Sequence, residues 1–257
     1  MSHDHEPIPE QFSRLAAMIG PEAFRILQRS FVAVAGLGAV GSYAVEALAR
    51  AGVGRLRLID CDVVRPSNIN RQLYALNSTV GQSKCRLAAQ RVLDINPACR
   101  VEARELFVHT DTLDRVLDGP PDLVIDAIDS LNPKVHLLIE AVKRNVPVLS
   151  AMGAALRTDP AAVRVGPLAA VTHCPLAAKV RKRLRQRGVP TDVPCIYSTE
   201  PVDPIPLAQP EEQEHHAQGR PRPALPSLPT LTGIFGLTAA NAALRMLLGE
   251  RFPGTAP

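Results

Sequence analysis

Short runs rich in Val, Leu and Ile alternate along this chain with longer stretches whose apolar residues recur every three or four positions. The short runs have the length of buried strands, and the longer stretches have the spacing of helices that pack on one face. The pattern predicts strands at 31–35, 55–59, 100–105, 123–127, 146–150 and 162–165, and helices at 42–51, 82–95, 134–144 and 231–248. Because strands that alternate with helices form a sheet covered on both faces, we expect an α/β fold with a doubly wound, mostly parallel sheet.

Three other regions complete the predicted domain organisation. Residues 201–229 contain eight prolines and an acidic cluster, a composition that cannot easily form a packed element and predicts a flexible loop. Residues 1–10 are polar and are expected to form a disordered tail. Residues 11–30 predict two short helices that lead into the first strand. We therefore expect a single domain over residues 11–257.

Composition narrows the class of protein. Aromatic residues make up 4% of the chain and Trp is absent, so the core must consist of aliphatic side chains, as parallel sheets allow. The five cysteines include no C-x-x-C pair, which argues against a disulfide framework or a four-cysteine zinc site and favours a reducing compartment. The sequence has no signal-peptide core, and we find no apolar run near the roughly 18 residues that cross a bilayer. We expect a cytoplasmic protein without a membrane partner.

A glycine-rich loop joins the first predicted strand to the first predicted helix. In Gly36-Leu37-Gly38-Ala39-Val40-Gly41, the first glycine permits a tight turn, the second lets a phosphate approach the backbone, and the third lets helix and strand pack closely. The helix N-terminus adds free N–H groups for a phosphate. Asp60, at the end of the second strand, is placed to hold ribose hydroxyls. This half is expected to be Rossmann-like, and these features alone favour a dinucleotide.

The residues beyond Asp60 change that expectation. Arg71 and Lys84 are not required by a dinucleotide, whereas a triphosphate needs cations that neutralise its charge and orient its oxygens. Asp129 follows an apolar strand at the ligand-binding edge of the sheet, where a carboxylate can hold Mg²⁺. Each residue has an ordinary alternative: Lys84 as a solvated surface lysine, Arg71 as a salt-bridge partner, and Asp129 as a cap of the following segment. Their occurrence together behind a phosphate loop favours ATP and Mg²⁺.

The motifs that carry this site are Gly36–Gly41, Asp60-x-Asp62, Ser67-Asn68-x-x-Arg71-Gln72, Lys84 and Asp126-x-x-Asp129. Together they resemble the adenylating superfamily of ubiquitin-activating enzymes and their bacterial relatives. The resemblance implies an ATP-binding half and a smaller substrate-binding half. It also implies a cofactor-binding set made of Gly36, Gly38, Gly41, Asp60, Asp62, Asn68 and Gln72.

The same resemblance assigns roles in a reaction. It implies that Arg71 and Lys84 contact the phosphates and that Asp129 binds Mg²⁺. It implies a homodimer in which Arg14 reaches into the site of the other subunit. In the implied reaction a substrate carboxylate attacks the α-phosphate of ATP and gives an acyl-adenylate and pyrophosphate.

Longer stretches resemble a tRNA-modifying subfamily, the threonylcarbamoyladenosine dehydratases. They are QFSRLAAMIG, NINRQ with VGQSK, DAIDS, SAMGAALRTDPAAVRV, CPLAAKVRKRLRQRGV, IYSTEP and PSLPTLTGIFGLTAANAALRMLLG. The resemblance implies adenylation of the threonine carboxylate of threonylcarbamoyladenosine next to the tRNA anticodon. The modified base then cyclises on itself and releases AMP, which is a net dehydration.

The resemblance implies the anticodon stem-loop of tRNA as the partner, and a basic run supplies a separate indication of tRNA. Its six members are Lys179, Arg181, Lys182, Arg183, Arg185 and Arg187. On a helix they cover more than one face, so intrachain carboxylates are not expected to neutralise all of them. The alternative is an ordinary solvated surface.

Three other functions stay open at this point. The first is an adenylyltransferase for a small sulfur-carrier protein, although such relatives often use a cysteine nucleophile or paired C-x-x-C motifs. Cys174 and Cys195 are instead expected to be packing residues, and a cyclisation within the substrate needs no protein nucleophile. The second is a dinucleotide-dependent oxidoreductase, and the third is a non-catalytic nucleotide-binding scaffold.

Overall fold

The computed structural model describes residues 7–202, 213–214, 222–223 and 225–254. The main sheet has seven strands: β1 Phe31–Ala35, β2 Arg55–Asp60, β3 Arg100–Glu105, β4 Leu123–Asp126, β5 Val148–Ala151, β6 Val163–Pro167 and β7 Pro194–Ser198. The helices are α1 Ser13–Ile19, α2 Pro21–Arg29, α3 Gly41–Arg50, α4 Lys84–Ile95, α5 Leu113–Leu117, α6 Leu131–Lys143, α7 Pro175–Arg185 and α8 Pro229–Leu248. The predicted strands and helices are therefore present, most of them displaced by one to three residues at an end.

The order of the strands places a binding crevice. The sheet runs β3-β2-β1-β4-β5-β7-β6, and every neighbouring pair is parallel except β6 with β7. The chain leaves β1 toward β2 on one side and returns to β4 on the other. Ligands bind beyond the carboxyl ends of the strands at such a switch point. The doubly wound, mostly parallel sheet is thus confirmed, and the antiparallel pair of this sheet lies at one edge.

Strand β1 lies at the centre of two packed layers. Its alternate residues point to opposite faces: Val32 and Val34 join one core cluster, while Ala33 and Ala35 join the other, and all four are fully buried. Helices α3, α4 and α8 cover the first face, and α5, α6 and α7 cover the second. Burial on both faces explains why the strand is an unbroken apolar run.

The two edge strands are charged or interrupted. The edge strand β3 has the sequence Arg-Val-Glu-Ala-Arg-Glu, and its residues are exposed or half-buried. The opposite edge strand, β6, has the exposed Arg164 and ends at Pro167. Charged side chains and proline are the features that discourage pairing with a further strand.

Helix α8 corrects one expectation from the sequence. The stretch Pro229–Arg251 is long and apolar enough to cross a membrane by length and composition, although no such run was expected. However, 56% of its most apolar window is buried within the fold. A Cβ added at Gly236 would lie 2.3 Å from the carbonyl oxygen of Val40. The helix therefore packs closely against the start of α3, as a core helix does.

The predicted tail and loop lie partly outside the described residues. Residues 1–6 are outside them, and Glu10 already begins a short 3-10 helix, so a disordered tail that reaches residue 10 was wrong at its end. Within residues 201–229, the stretches 203–212 and 215–221 and residue 224 are outside the described part. The described part includes a small antiparallel pair, β8 Gln213–Glu214 with β9 Arg222–Pro223. The flexibility of the loop stays a prediction, and the single domain stays our proposal.

Candidate functional site

A cavity of about 610 Å³ opens at the carboxyl ends of the central strands. The predicted site residues that line it are Gly36, Gly38, Asp60, Asp62, Asn68, Arg71, Gln72, Lys84, Asp129 and Lys179. Its other end, on the side of β5, is formed by residues 151–155, Pro175 and Leu176. Ser227 also lines the cavity but lies beside the nucleotide end, because its carbonyl oxygen accepts a hydrogen bond from Asn70 Nδ2 at 3.4 Å. The cavity thus has one end rich in the predicted nucleotide-binding residues and a second end that sequence reasoning did not assign.

The three loop glycines differ in what surrounds them. Gly36 has a φ of +89°, and a Cβ there would lie 2.8 Å from the Ala127 carbonyl oxygen. At Gly41 a Cβ would lie 1.8 Å from the Gly36 carbonyl oxygen. The turn and the close packing therefore demand these two glycines. At Gly38 a Cβ would meet only the Gln72 side chain, at 3.7 Å, so the backbone there is open toward the cavity.

Asp60 connects the loop to the end of β2. Its carboxylate accepts the Leu37 N–H at 2.7 Å on one oxygen and the Asp62 N–H at 2.8 Å on the other. Burial raises the pKa of Asp60, while Lys84 and the two N–H groups act in the opposite direction. Each oxygen still has a lone pair for a further donor. The carboxylate can thus position the loop and accept a hydroxyl group.

Lys84 is buried, with 6% of its surface exposed. Its Nζ lies 3.5 Å from Asp62 Oδ2, at the long end of an ion pair. The alternative of a solvated surface lysine is therefore wrong. Lys84 is also the first residue of α4, where the helix dipole disfavours a cation. An anion in the cavity would offset both the burial and the dipole.

A short turn positions the predicted arginine. Asn68 is buried, and its Oδ1 accepts the Arg65 N–H at 3.2 Å. Arg71 is half-buried, and its Nη1 donates to the Ser67 carbonyl oxygen at 2.8 Å and to Asn70 Oδ1 at 2.9 Å. The turn therefore fixes the direction of the guanidinium at the cavity wall.

The two aspartates after β4 have different environments. Asp129 lines the cavity, and α6 begins at Leu131 with Ser130 in the capping position, so Asp129 precedes the cap. Asp126 is fully buried and pairs with Lys134 at 2.7 Å. Sequence reasoning missed this lysine, because nothing in the spacing of a helical residue indicates a buried ion pair.

The basic run divides by environment, and α7 ends at Arg185, so Arg187 lies beyond the helix. Arg181 is half-buried and donates to the carbonyl oxygens of Leu168 and Val171 at 3.0 and 2.5 Å, so it holds the fold together. Lys179 is exposed at the cavity, and Arg183 reaches Asn132 Oδ1 at 3.3 Å. The other three, Lys182, Arg185 and Arg187, are exposed. In the part of the chain that the structure describes, none of the six pairs with a carboxylate.

The cysteines are poorly suited to act as nucleophiles. Cys174 and Cys195 are buried in the apolar core, as expected of packing residues. Cys61 lines the cavity, but burial and the neighbouring carboxylates of Asp62 and Asp60 raise the pKa of its thiol to about 12. The reactive thiolate is therefore scarce at neutral pH.

Arg14 does not join the site of its own chain. It lies exposed on α1 and is not part of the cavity wall. This is the placement that a contribution to another subunit requires, and the contribution itself stays a prediction.

Comparison with known proteins places the chain in a family. The model of the ThiF family matches residues 12–256. The chain belongs to the ThiF family. This confirms the resemblance to the adenylating superfamily that the motifs indicated. The tRNA threonylcarbamoyladenosine dehydratase of Bacillus subtilis strain 168 is 46% identical over 190 residues, 74% of this chain and 75% of the relative.

Other ThiF-family matches extend over nearly the whole chain. The tRNA threonylcarbamoyladenosine dehydratase of Escherichia coli K12 is 34% identical over 253 residues, 94% of each protein. A crystal structure of the E. coli tRNA N6-threonylcarbamoyladenosine dehydratase in complex with ATP has a TM-score of 0.83 and 33% identity, and covers 94% of this chain and 95% of that one. A sulfur carrier protein adenylyltransferase of Thermus thermophilus is less similar, 29% identical over 231 residues, 90% of this chain and 74% of the relative.

Proposed function

We propose that this protein uses ATP to adenylate the threonine carboxylate of threonylcarbamoyladenosine in tRNA, next to the anticodon. A carboxylate oxygen attacks the α-phosphorus, and the bond to the β-phosphate breaks as pyrophosphate leaves. A nucleophilic atom of the same modified base then attacks the acyl carbon, and AMP leaves. The observation that carries this proposal is the match of dehydratases from two bacteria to a chain whose cavity contains the predicted ATP-binding residues.

The nucleotide end of the cavity has the chemistry that the phosphates of ATP need. We assign the phosphates to the Gly36–Gly41 loop, the ribose to Asp60, and phosphate contacts to Arg71 and Lys84. The open backbone at Gly38 and the buried ammonium of Lys84 support this assignment. Asp62, Asn68 and Gln72 complete the wall around the nucleotide. Catalysis would consist chiefly of positioning and of charge stabilisation.

We assign Mg²⁺ to Asp129. Mg²⁺ in nucleotide sites is held by one or two carboxylates together with phosphate oxygens and water. Asp129 presents a carboxylate at the cavity beside the nucleotide end, so the donor set fits this ion. When bound, the ion would neutralise charge on the phosphates.

Lys179 and Arg183 connect the cavity to a tRNA surface. They are one helical turn apart on α7, and Asn132, the partner of Arg183, lies between two residues that line the cavity, Leu131 and Pro133. A row of cations beside the cavity mouth suits the phosphates that flank a modified nucleotide. We assign tRNA to this side of the helix and not to Arg181, which is bound to backbone oxygens.

We further infer a cytoplasmic homodimer. The exposed position of Arg14 on α1 supports a contribution to the second subunit, and the five free cysteines agree with a reducing compartment.

The sulfur-carrier alternative is less well supported. It is favoured by the similarity to the Thermus adenylyltransferase. That relative is less similar than the dehydratases, and Cys61, which lines the cavity, has a thiol pKa raised to about 12 and is poorly suited to acyl transfer.

The proposed reaction can be measured directly. The protein is incubated with ATP, Mg²⁺ and tRNA that contains threonylcarbamoyladenosine, and AMP and the mass of the digested nucleoside are followed. We expect AMP to form together with a nucleoside lighter by one water. Unmodified tRNA is the control and should give no AMP. AMP formed only with a sulfur-carrier protein would establish the alternative instead.

A further inference from the structure

Completely buried cations in this protein differ in how well their donor atoms are paired. Within the described residues three cationic side chains are completely enclosed: Arg57, Lys134 and Arg157, with 1%, 0% and 1% of their surface exposed. Removing a guanidinium or an ammonium from water is costly unless its N–H groups find acceptors. The partners of these three groups therefore indicate what each one does.

Arg57 and Lys134 have every donor atom occupied. The Nε and Nη2 of Arg57 bind the Glu102 carboxylate at 2.9 and 2.8 Å, and its Nη1 binds the carbonyl oxygens of Val116 and Asp118. Lys134 donates to Asp126 Oδ2, to Ser150 Oγ and to the Ala151 carbonyl oxygen, at 2.7, 3.2 and 2.9 Å. These two cations are satisfied by the fold alone.

Arg157 is not satisfied. Its Nη2 donates to the His173 carbonyl oxygen at 2.5 Å, but its Nε and Nη1 are shielded from solvent and have no hydrogen-bond partner in the described structure. The carboxylate of Glu200 accepts hydrogen bonds from the N–H groups of Thr158 and Asp159 and from the Thr158 hydroxyl. It makes no hydrogen bond to Arg157. Arg157 thus carries a buried charge with two unused donor atoms.

The two segments that hold Arg157 line the unassigned end of the cavity, and Arg157 itself is not part of the cavity wall. Residues 151–155, which precede Arg157 in the chain, line that end. His173, which accepts its one hydrogen bond, is followed after Cys174 by Pro175 and Leu176, which line the same end. The two segments touch, since a Cβ at Gly153 would lie 3.5 Å from Cys174 Sγ.

Backbone strain is concentrated at the same place. Leu156 has a φ of +61° and His173 a φ of +53°. Residues other than glycine rarely adopt a positive φ. Such strained backbone conformations occur mostly at functional sites, where the surrounding structure imposes them. Arg157 is thus held between two strained residues, one adjacent in the chain and one that binds its side chain.

We propose that Arg157 binds the carboxylate of the acceptor substrate, an inference that rests on the proposed function. The site takes a carboxylate because the phosphates of ATP have their own cations, Arg71 and Lys84, at the opposite end of the cavity. If Nη2 releases the His173 carbonyl oxygen, Nε and Nη2 of Arg157 can together bind the two oxygens of a substrate carboxylate. The same two nitrogens of Arg57 bind the Glu102 carboxylate. Charge-assisted pairing through these two nitrogens is strong and directional.

This assignment explains how two anions can meet. A carboxylate that approaches a triphosphate is repelled, and a cation on the acceptor side offsets the repulsion. One carboxylate oxygen attacks the α-phosphorus and pyrophosphate leaves, while the other stays on Arg157. That second oxygen becomes the acyl carbonyl oxygen. When the base cyclises, negative charge grows on this oxygen, and Arg157 is placed to stabilise it.

The test compares Arg157→Met with Arg57→Met in the full-length protein. Three quantities are measured for each variant: the unfolding temperature without substrate, the Kd for ATP, and kcat/KM for AMP formation with tRNA that contains threonylcarbamoyladenosine. Because two donor atoms of the buried Arg157 have no hydrogen-bond partner, we expect Arg157→Met to unfold at or above the wild-type temperature. Its Kd for ATP should be unchanged, and its kcat/KM should fall about 10- to 100-fold, as for the loss of a hydrogen bond to a charged group. Arg57→Met should lower the unfolding temperature.

Several outcomes overturn the assignment. An Arg157→Met variant that unfolds well below the wild type and keeps its kcat/KM would make the residue structural. Weaker binding of unmodified tRNA by the variant would mean that Arg157 contacts an RNA phosphate. If Arg157→Met does not fold, Arg157→Lys decides the matter, since it keeps the charge but loses the pair of nitrogens: we expect a raised KM with an unchanged unfolding temperature, and an unchanged KM refutes the proposal. A wild-type protein that forms no AMP would instead reject the proposed function itself.

Discussion

At the scale of single residues, a buried lysine at the start of a helix is a poor choice for stability alone. Lys84 loses hydration, lies at the positive end of the α4 dipole, and has Asp62 as an ion partner only at 3.5 Å. The sequence identified this residue from its position behind a phosphate loop. It could not identify the pair Lys134–Asp126 or the two unpaired donor atoms of Arg157, because buried pairing depends on which elements the fold brings together.

Replacement of Lys84 should separate phosphate binding from folding. We expect Lys84→Met to fold normally and to form AMP about 100-fold more slowly, since one lost donor to a charged transition state has an effect of this size. Arg86→Met is the matched control, because Arg86 is exposed on the same helix and pairs with Glu105 at 2.6 Å. Its AMP formation should stay within about twofold of the wild type. Full activity in Lys84→Met would exclude a phosphate role.

At the scale of elements, most of the strands and helices could be predicted because each has a clear period and clear ends. Strand β1 is an unbroken apolar run, and α4 begins after Ser83, whose hydroxyl accepts the Arg86 N–H. The basic helix α7 was predictable, but its division into structural and exposed cations was not. Arg181 is structural only because the carbonyl oxygens of Leu168 and Val171 lie beside it, and no sequence pattern records that contact.

The two sides of α7 should differ in tRNA binding. We expect the double variant Lys179→Gln with Arg183→Gln to bind tRNA more weakly. The negative slope of log affinity against log salt concentration should become less steep by about 2, because two phosphate contacts are lost. The control is Lys182→Gln with Arg185→Gln, which removes the same charge from exposed positions of the same helix. Equal effects in the two double variants would mean that only the net charge matters.

At the scale of the whole molecule, the sequence predicted the class of fold and the nucleotide end of the cavity, but not its far end. The order of strands β5, β7 and β6 depends on pairings between distant segments, and it is this order that brings residues 151–155 toward Pro175. The spacing of a motif predicts a site when a single βα unit forms that site. It cannot predict a site formed by segments that are far apart in the sequence, such as residues 151–155 and Pro175.

The proposed dimer predicts that two defective variants can restore each other. Arg14→Ala and Lys84→Ala should each lose most of their activity alone, because every site then lacks either the partner's arginine or its own lysine. After the two variants are mixed and allowed to exchange subunits, about half of the dimers are mixed and each has one intact site. We therefore expect about a quarter of the wild-type rate. Full activity of Arg14→Ala alone, or no recovery on mixing, would contradict the shared site.

The edges of the sheet bear on how two copies can meet at all. The charged side chains along β3 discourage a further strand from pairing there, and β6 ends in a proline that cannot donate a hydrogen bond. Growth of the sheet from one molecule into the next is therefore disfavoured at both edges. We therefore expect self-association of this protein to use its helical surfaces and to give discrete pairs, not open-ended fibres.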